Sequence, residues 1–344
     1  MHRLLTPSGP RWIVAAVALA GAAAPCAAQP FAEPQFLFDY SASPTVTDYR
    51  PVVDRTGTRV VFERTTPGTR ARLFIARLGD PAPAALLAPR LQLSTRPDWC
   101  WHSTGRFASG PLAFSNGRGV FVIDPDRPGS GRLLPGTRGM VYPAWFGGCA
   151  QLAVMQHLHS GPVTSVIDAS TGTVIRLQVA GPDVWAGFPS VNPADNRRVA
   201  FAGSTVVPGA EYNQSVNYIW TADMGRTPAD PAPLDSGAPR AFAPQFQGRA
   251  GWWSPDGRVI AFESNRSCGG GDTYAIFLQD GAGRTPAHQV TACGWNAQHA
   301  KWFPASADGR STRLVVTVLR DPTGGRGRRG IASLDVTAFV TPGA

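Results

Sequence analysis

The feature that most constrains the fold is a repeat of short apolar runs with a period near 46 residues. Six segments share one order of features, and their first positions are separated by 46, 46, 46, 62 and 49 residues. These anchor positions are Pro51, Pro97, Pro143, Pro189, Gly251 and Ala300. Equal steps in the forties, with several short strands per unit, are typical of β-propeller blades. A β-sandwich with coincidental turns is the alternative interpretation.

The clearest copy surrounds Trp253 and predicts a β-meander. A turn over residues 254–257, with sequence Ser-Pro-Asp-Gly, separates the strand that ends at Trp253 from a strand over 259–263, and a third strand covers 274–278. Proline, aspartate and glycine are the residues that such turns require. The chain contains 38 Gly and 32 Pro, a density that long helices do not tolerate. We therefore predict an all-β fold, a six-bladed β-propeller of four-stranded antiparallel blades.

The first 28 residues have the pattern of a secretory signal. Arg3 and Arg11 precede and flank an apolar run over 12–24, and the small residues Cys26 and Ala28 fit a cleavage site. We predict a signal peptide over 1–28, cleaved after Ala28, and a single propeller domain over 29–344 with no integral membrane insertion. An uncleaved N-terminal anchor is the alternative.

The four remaining cysteines fit an exported protein, in which disulfides persist. In a blade, strands A to D run outward from the central channel, so A–B turns lie on one face and B–C hairpins on the other. The repeat places Cys100 and Cys149 near A–B turns of neighbouring blades, and Cys268 and Cys293 on the opposite face. We predict the pairs Cys100–Cys149 and Cys268–Cys293; four buried free thiols are the alternative.

The string Trp253-Ser254-Pro255-Asp256-Gly257-Arg258, followed by Ile260-Ala261-Phe262, resembles the WD-type repeat of the TolB family. The resemblance covers about residues 45–336, and the fifth copy matches the family consensus best. It implies a propeller located in the periplasm, and because only residues 29–49 precede the first blade, we expect the N-terminal α/β domain of TolB to be missing. The partner it implies is an unknown periplasmic protein or envelope polymer.

Closure of the ring requires the two chain ends to meet, because an open propeller leaves unpaired sheet edges. We predict that a strand around 34–40 completes the sixth blade beside the strand near 331–336. The alternating Phe36, Phe38 and Tyr40 then lie on one side of that strand.

Long loops on a rigid scaffold are the usual place for binding. The longest B–C hairpin of the predicted propeller covers 203–217, and another covers 320–329. We predict a binding rim there. Two tryptophans that do not recur in step with the repeat are candidates for stacking against a ligand. The predicted binding residues are Tyr212, Asn213, Arg326, Arg328, Arg329, Trp185 and Trp295.

The sequence favours binding over catalysis. The formal net charge is +9, yet the arginines are scattered, which argues against nucleic-acid binding. Neither a Gly-x-Ser-x-Gly elbow nor a Walker loop is present, and we expect no catalytic residue, metal or cofactor. We predict a non-catalytic exported scaffold that binds a protein or envelope component through one propeller face. The alternative is a lyase- or hydrolase-like propeller acting on an acidic glycan, with His299 as a base.

Overall fold

The computed structural model describes residues 31–41, 43–80, 84–102, 107–158, 161–206, 217–226, 230–234, 248–323 and 327–340. These residues form six antiparallel sheets of four strands each, and the innermost strands contact one another around the ring. The predicted six-bladed β-propeller is therefore confirmed.

The blades follow one another along the chain, each with its shortest strand outermost. Blades one to three consist of β2 (Thr47–Val53), β3 (Arg59–Thr65), β4 (Arg72–Arg77), β5 (Ala85–Leu86), β6 (Thr95–Trp99), β7 (Leu112–Asn116), β8 (Gly119–Ile123), β9 (Arg132–Leu133), β10 (Met140–Phe146), β11 (Gln151–Leu158), β12 (Gly161–Asp168) and β13 (Val174–Arg176). Blades four to six consist of β14 (Val184–Val191), β15 (Arg198–Thr205), β16 (Tyr218–Asp223), β17 (Ala232–Pro233), β18 (Gly248–Trp253), β19 (Val259–Ser264), β20 (Ala275–Asp280), β21 (His288–Gln289), β22 (Gln298–Trp302), β23 (Arg313–Leu319) and β24 (Arg329–Asp335), with β1 (Gln35–Phe36) as the last strand. One helical turn, α1 (Thr337–Val340), follows β24.

Ring closure occurs as the sequence predicts. Strand β1 pairs antiparallel with β24, so that Gln35 lies opposite Ser333 and Phe36 opposite Ala332. Beyond this short strand, the Tyr40 hydroxyl accepts the Ile331 N–H at 2.9 Å and donates to Asp48 at 3.0 Å. Because Asp48 belongs to blade one and Ile331 to blade six, Tyr40 joins the first and last blades.

The core consists of apolar side chains between neighbouring blades. Each second strand carries a fully buried aromatic or aliphatic residue, as Phe62, Phe114, Phe201 and Phe262 show. These second strands are buried over most of their length, as expected for strands whose two faces both pack against protein. The blades are thus held together mainly by apolar packing.

Both predicted disulfides are present in the structure. Cys100 and Cys149 join blades two and three with Cα atoms 5.9 Å apart, and Cys268 and Cys293 lie 5.4 Å apart on the opposite face. The repeat register therefore identified the correct pairing among the three that four cysteines allow.

Candidate binding channel

Every innermost strand contains a β-bulge at the same place in the repeat. The strand pairing shifts there in all six blades, and the first bulge residue has a positive φ between 47° and 57°. These six residues are Arg50, Arg96, Tyr142, Phe188, Ala250 and His299. The second bulge residue is the anchor position of the sequence repeat. Bulges redirect side chains and are concentrated near functional sites, and here all six first residues line one central cavity.

Two glutamates hold these bulges in place from the neighbouring blade. Glu63 on β3 accepts the Arg96 backbone N–H at 2.6 Å, and its other oxygen pairs with the Arg50 guanidinium at 2.9 Å. Glu63 is only 2% exposed. Both of its oxygens are therefore engaged in positioning the channel wall.

Glu263 repeats this arrangement four blades later. It accepts the His299 backbone N–H at 2.6 Å and pairs with Arg249 at 2.5 Å. The same geometry thus recurs at two places in the ring, where a carboxylate fixes the bulge of the following blade and one arginine of its own blade.

Two channel arginines keep nitrogen atoms without partners. Arg96 stacks on the Tyr142 ring at 4.1 Å and makes no ion pair within the described residues. Its Nε atom, and that of Arg50, are buried without a hydrogen-bond acceptor. Because a guanidinium favours a carboxylate or phosphate partner, the half-buried Arg96 in the cavity wall, which has no ion-pair partner among the described residues, favours an anionic group there.

His299 lies in the same wall as a neutral imidazole. Burial, together with the positive charges of Arg50, Arg249, Arg329 and Lys301, holds the pKa of His299 well below its usual range. Its Nδ1 atom is also buried without a partner. The site therefore carries a proton acceptor that stays uncharged beside several arginines.

The cavity opens toward the B–C hairpins. The mouth has a volume of about 320 Å³, many times the roughly 10–15 Å³ that one water needs. It is lined by Tyr49, Arg50, Glu63, Thr65, Ala71, Tyr142, Phe188, Arg249, Glu263, Gln298 and His299. Two arginines and two glutamates line this wall, and the inner part of the cavity adds Arg96 and no carboxylate, which favours an anionic ligand.

The opposite end of the cavity is closed by a charged plug, Asp98–Lys301–Trp252. The Lys301 ammonium lies 2.8 Å from an Asp98 carboxylate oxygen and 3.7 Å from the centre of the Trp252 ring. Burial raises the pKa of Asp98 and lowers that of Lys301, and the ion pair opposes both shifts. The three residues come from blades two, six and five, so the plug spans the channel.

The residues that the sequence predicts for binding are distributed unevenly. Arg329 reaches the mouth, where its guanidinium lies 5.8 Å from the Tyr49 ring centre and donates to the Asn296 carbonyl at 2.7 Å. Arg328 is exposed beside it. Trp185 is 2% exposed, and Trp295 packs edge-on against Phe36.

Three predicted residues, Tyr212, Asn213 and Arg326, lie outside the described part of the chain. Of the channel residues, His299 was predicted from the sequence, whereas Arg50, Arg96 and the two glutamates were not. The sequence does contain a signal for Arg50 and Arg96, because each first bulge residue directly precedes an anchor position of the repeat.

One group of potential metal ligands occurs among the described residues, namely Cys100, His102 and Cys149. Both sulfurs belong to a disulfide. Since zinc and similar metals bind cysteine as a thiolate, this group offers no thiolate ligand.

The same fold occurs in several solved structures. One is a gluconolactonase from Xanthomonas campestris, with a TM-score of 0.54, 14% identity and coverage of 89% of each chain. Another is an oligogalacturonate lyase from Vibrio parahaemolyticus, with a TM-score of 0.51, 12% identity and coverage of 89% of this chain and 97% of that one. A putative TolB from Agrobacterium tumefaciens has a TM-score of 0.50, 14% identity and coverage of 71% and 83%.

At 12–14% identity these similarities show a shared β-propeller fold, and they do not identify this chain as a TolB protein. No protein-family model and no curated protein matches the sequence. The disulfides fit an oxidising compartment outside the cytoplasm. Across the described ranges, none of the helical segments has the length and apolar character needed to span a bilayer.

Proposed function

We propose that this protein is an exported, periplasmic binding protein whose channel takes a carboxylate-bearing component of the envelope through the B–C mouth. The observation that carries the proposal is the pair of half-buried arginines in the cavity wall, Arg50 and Arg96, of which Arg96 has no ion-pair partner among the described residues. An ionised carboxylate satisfies such donors with charge-assisted hydrogen bonds.

The surrounding residues favour binding rather than chemistry. Glu63 and Glu263 use their oxygens on backbone N–H groups and arginines, so neither is available as an acid or base. Tyr142 and Phe188 contribute an aromatic wall, with ring centres 4.4 Å apart. An acidic saccharide suits this site, because it combines a carboxylate with an apolar ring face.

Calorimetric titration with galacturonate and galactose tests the proposal, since these sugars differ only at C6, which is a carboxylate in the first and a hydroxymethyl group in the second. We expect galacturonate to bind the wild-type protein at least tenfold more tightly, because a hydrogen bond to a charged group contributes about 1.5–3 kcal/mol. The substitution Arg96→Gln should remove this preference. The matched control is Arg118→Gln, at the exposed tip of the second blade on the same face.

Equal affinity for the two sugars, or an Arg96→Gln variant that keeps the preference, contradicts the proposal. Proper folding of both variants is checked by their thermal unfolding. Because the two substitutions remove the same charge, a general electrostatic effect lowers binding equally in both.

A second candidate, a lyase acting on an acidic glycan, is favoured by His299. Its neutral imidazole lies among arginines that can neutralise a substrate carboxylate. In such a reaction the His299 imidazole takes the proton from the carbon next to the carboxylate, the glycosidic C–O bond breaks, and water protonates the departing oxygen. The new double bond absorbs ultraviolet light. An absorbance increase with oligogalacturonate that disappears in His299→Gln supports the lyase, and its absence supports binding alone.

A further inference from the structure

A second cavity lies on the A–B side of the plug and is lined by tryptophan. It has a volume of about 190 Å³. Six of the ten tryptophans of the chain line it, namely Trp99, Trp101, Trp145, Trp252, Trp253 and Trp302. We call this cavity the tryptophan basin; its wall also includes Phe146, Gly147, Gly148 and Asn196.

Four of these rings are fixed by hydrogen bonds from their indole N–H groups to backbone carbonyls. Trp99 donates to Ser109 at 2.9 Å, and Trp101 donates to Val53 at 2.9 Å. Trp145 donates to Asp98 at 3.1 Å, and Trp302 donates to Trp252 at 3.0 Å. Since the N–H groups point into the protein, the rings offer carbon surface to the cavity in a preorganised arrangement, which lowers the entropic cost of binding.

Not all six rings are accessible. Trp99, Trp145, Trp253 and Trp302 are each 9% exposed or less and pack between blades. Trp101, Trp252 and Phe146 are half-buried and form the accessible aromatic surface. Trp101 and Trp252 do not recur at the matching position of other blades, so the packing that explains the repeated tryptophans does not require them.

The chemistry of the basin differs from that of the B–C mouth. Among the described residues that line the basin, Lys301 is the one buried cation, and it is paired with Asp98. Polar groups lie at the rim, where Asn196 accepts the Gly147 N–H at 3.3 Å. The basin therefore combines flat apolar surface with polar edges and no excess charge.

We infer that the tryptophan basin binds an uncharged sugar ring. A pyranose has this combination of surfaces, because its axial C–H groups form an apolar face and its hydroxyl groups surround the edge. Trp101 and Phe146 supply the face, and the glycine backbone and Asn196 supply hydrogen-bonding partners. The inference is independent of the proposed anion site, since neither Trp101 nor Phe146 lines the B–C mouth.

The test is saturation-transfer NMR and calorimetry on the full mature protein with three neutral probes, cellotriose, maltotriose and triacetylchitotriose. We expect at least one of them to bind, and Trp101→Leu to lower its affinity about tenfold, which corresponds to the loss of about 1.4 kcal/mol of aromatic contact. Phe146→Leu should lower the affinity as well. Trp220→Leu is the matched control, because Trp220 is half-buried on β16 outside the basin.

Galacturonate binding separates this inference from the proposed function. Trp101→Leu should leave galacturonate affinity within twofold of wild type, whereas Arg96→Gln should leave saccharide affinity unchanged. The inference is overturned when none of the three probes binds the wild-type protein. It is also overturned when Trp220→Leu weakens binding as much as Trp101→Leu, or when both basin variants bind like wild type.

Discussion

The two ends of the central channel are built from the same repeat yet differ in chemistry. The B–C mouth is lined by arginines, glutamates and a neutral histidine, whereas the A–B end is a basin of tryptophans. Each face also has its own disulfide, Cys268–Cys293 on the B–C face and Cys100–Cys149 beside the basin. A repeat therefore determines where side chains point, and the individual residues determine what each end can bind.

The plug of Asp98, Lys301 and Trp252 keeps the two ends apart. Removing one member of a buried ion pair leaves an uncompensated charge. We expect Asp98→Ala to lower the free energy of unfolding by about 3–5 kcal/mol, measured by urea denaturation. This is the largest effect expected of any single substitution here.

The double variant Asp98→Leu with Lys301→Met is the control for the plug. It removes both charges and fills the space with apolar groups, so most of the lost stability should return. A single variant as stable as wild type would show that Lys301 reaches solvent, and the two ends would then form one continuous channel.

The two disulfides allow each end to be weakened separately. Replacing Cys100 and Cys149 by serine opens a loop with a separation of 49 residues, and replacing Cys268 and Cys293 opens one of 25. The chain-entropy relation gives losses of about 4 and about 3.5 kcal/mol, respectively. Urea denaturation of the two double variants measures these losses.

Peptide mapping without reduction checks the pairing on which this comparison depends. Peptides joining Cys100 to Cys149 and Cys268 to Cys293 are expected. A peptide that joins Cys100 to Cys268 would link opposite faces of the propeller and contradict the fold.

The smallest expected effect is the pH dependence of stability that His299, at the mouth, contributes. The pKa of His299 is lowered in the folded protein, so the unfolded chain binds the proton first as the pH falls below about 6.5. Stability should therefore be lost progressively below that pH, at up to about 1.4 kcal/mol per pH unit. His299→Gln should make this dependence shallower, as measured by unfolding at several pH values.

The exposed His157 provides the matched control for this experiment. His157→Gln should retain the wild-type slope between pH 5 and pH 7. An unchanged slope in His299→Gln would mean that this imidazole is solvated and carries no burial penalty.

The sequence predicted the architecture because turns, periodicity and cysteine positions are local signals. The anchors at Pro51 and Pro97 even fall on the second residue of each bulge. The positive φ of Arg50 and Arg96 could not be predicted, since a residue before proline ordinarily prefers an extended conformation.

The site itself depends on contacts between blades. Glu63 reaches the Arg96 backbone across 33 residues, and Lys301 reaches Asp98 across 203. No local pattern encodes such pairings, because the closed ring brings the partners together. Arg329 was predicted from its hairpin, whereas its place at the channel mouth follows only from the folded ring.

A crystal structure with galacturonate tests the central claim most directly, because it shows which end of the channel holds the charged group. The account predicts the carboxylate within hydrogen-bonding distance of the guanidinium groups of Arg50 and Arg96, on the B–C side of the plug. A galacturonate whose carboxylate lies in the tryptophan basin, or on the outer surface of a blade, would contradict it.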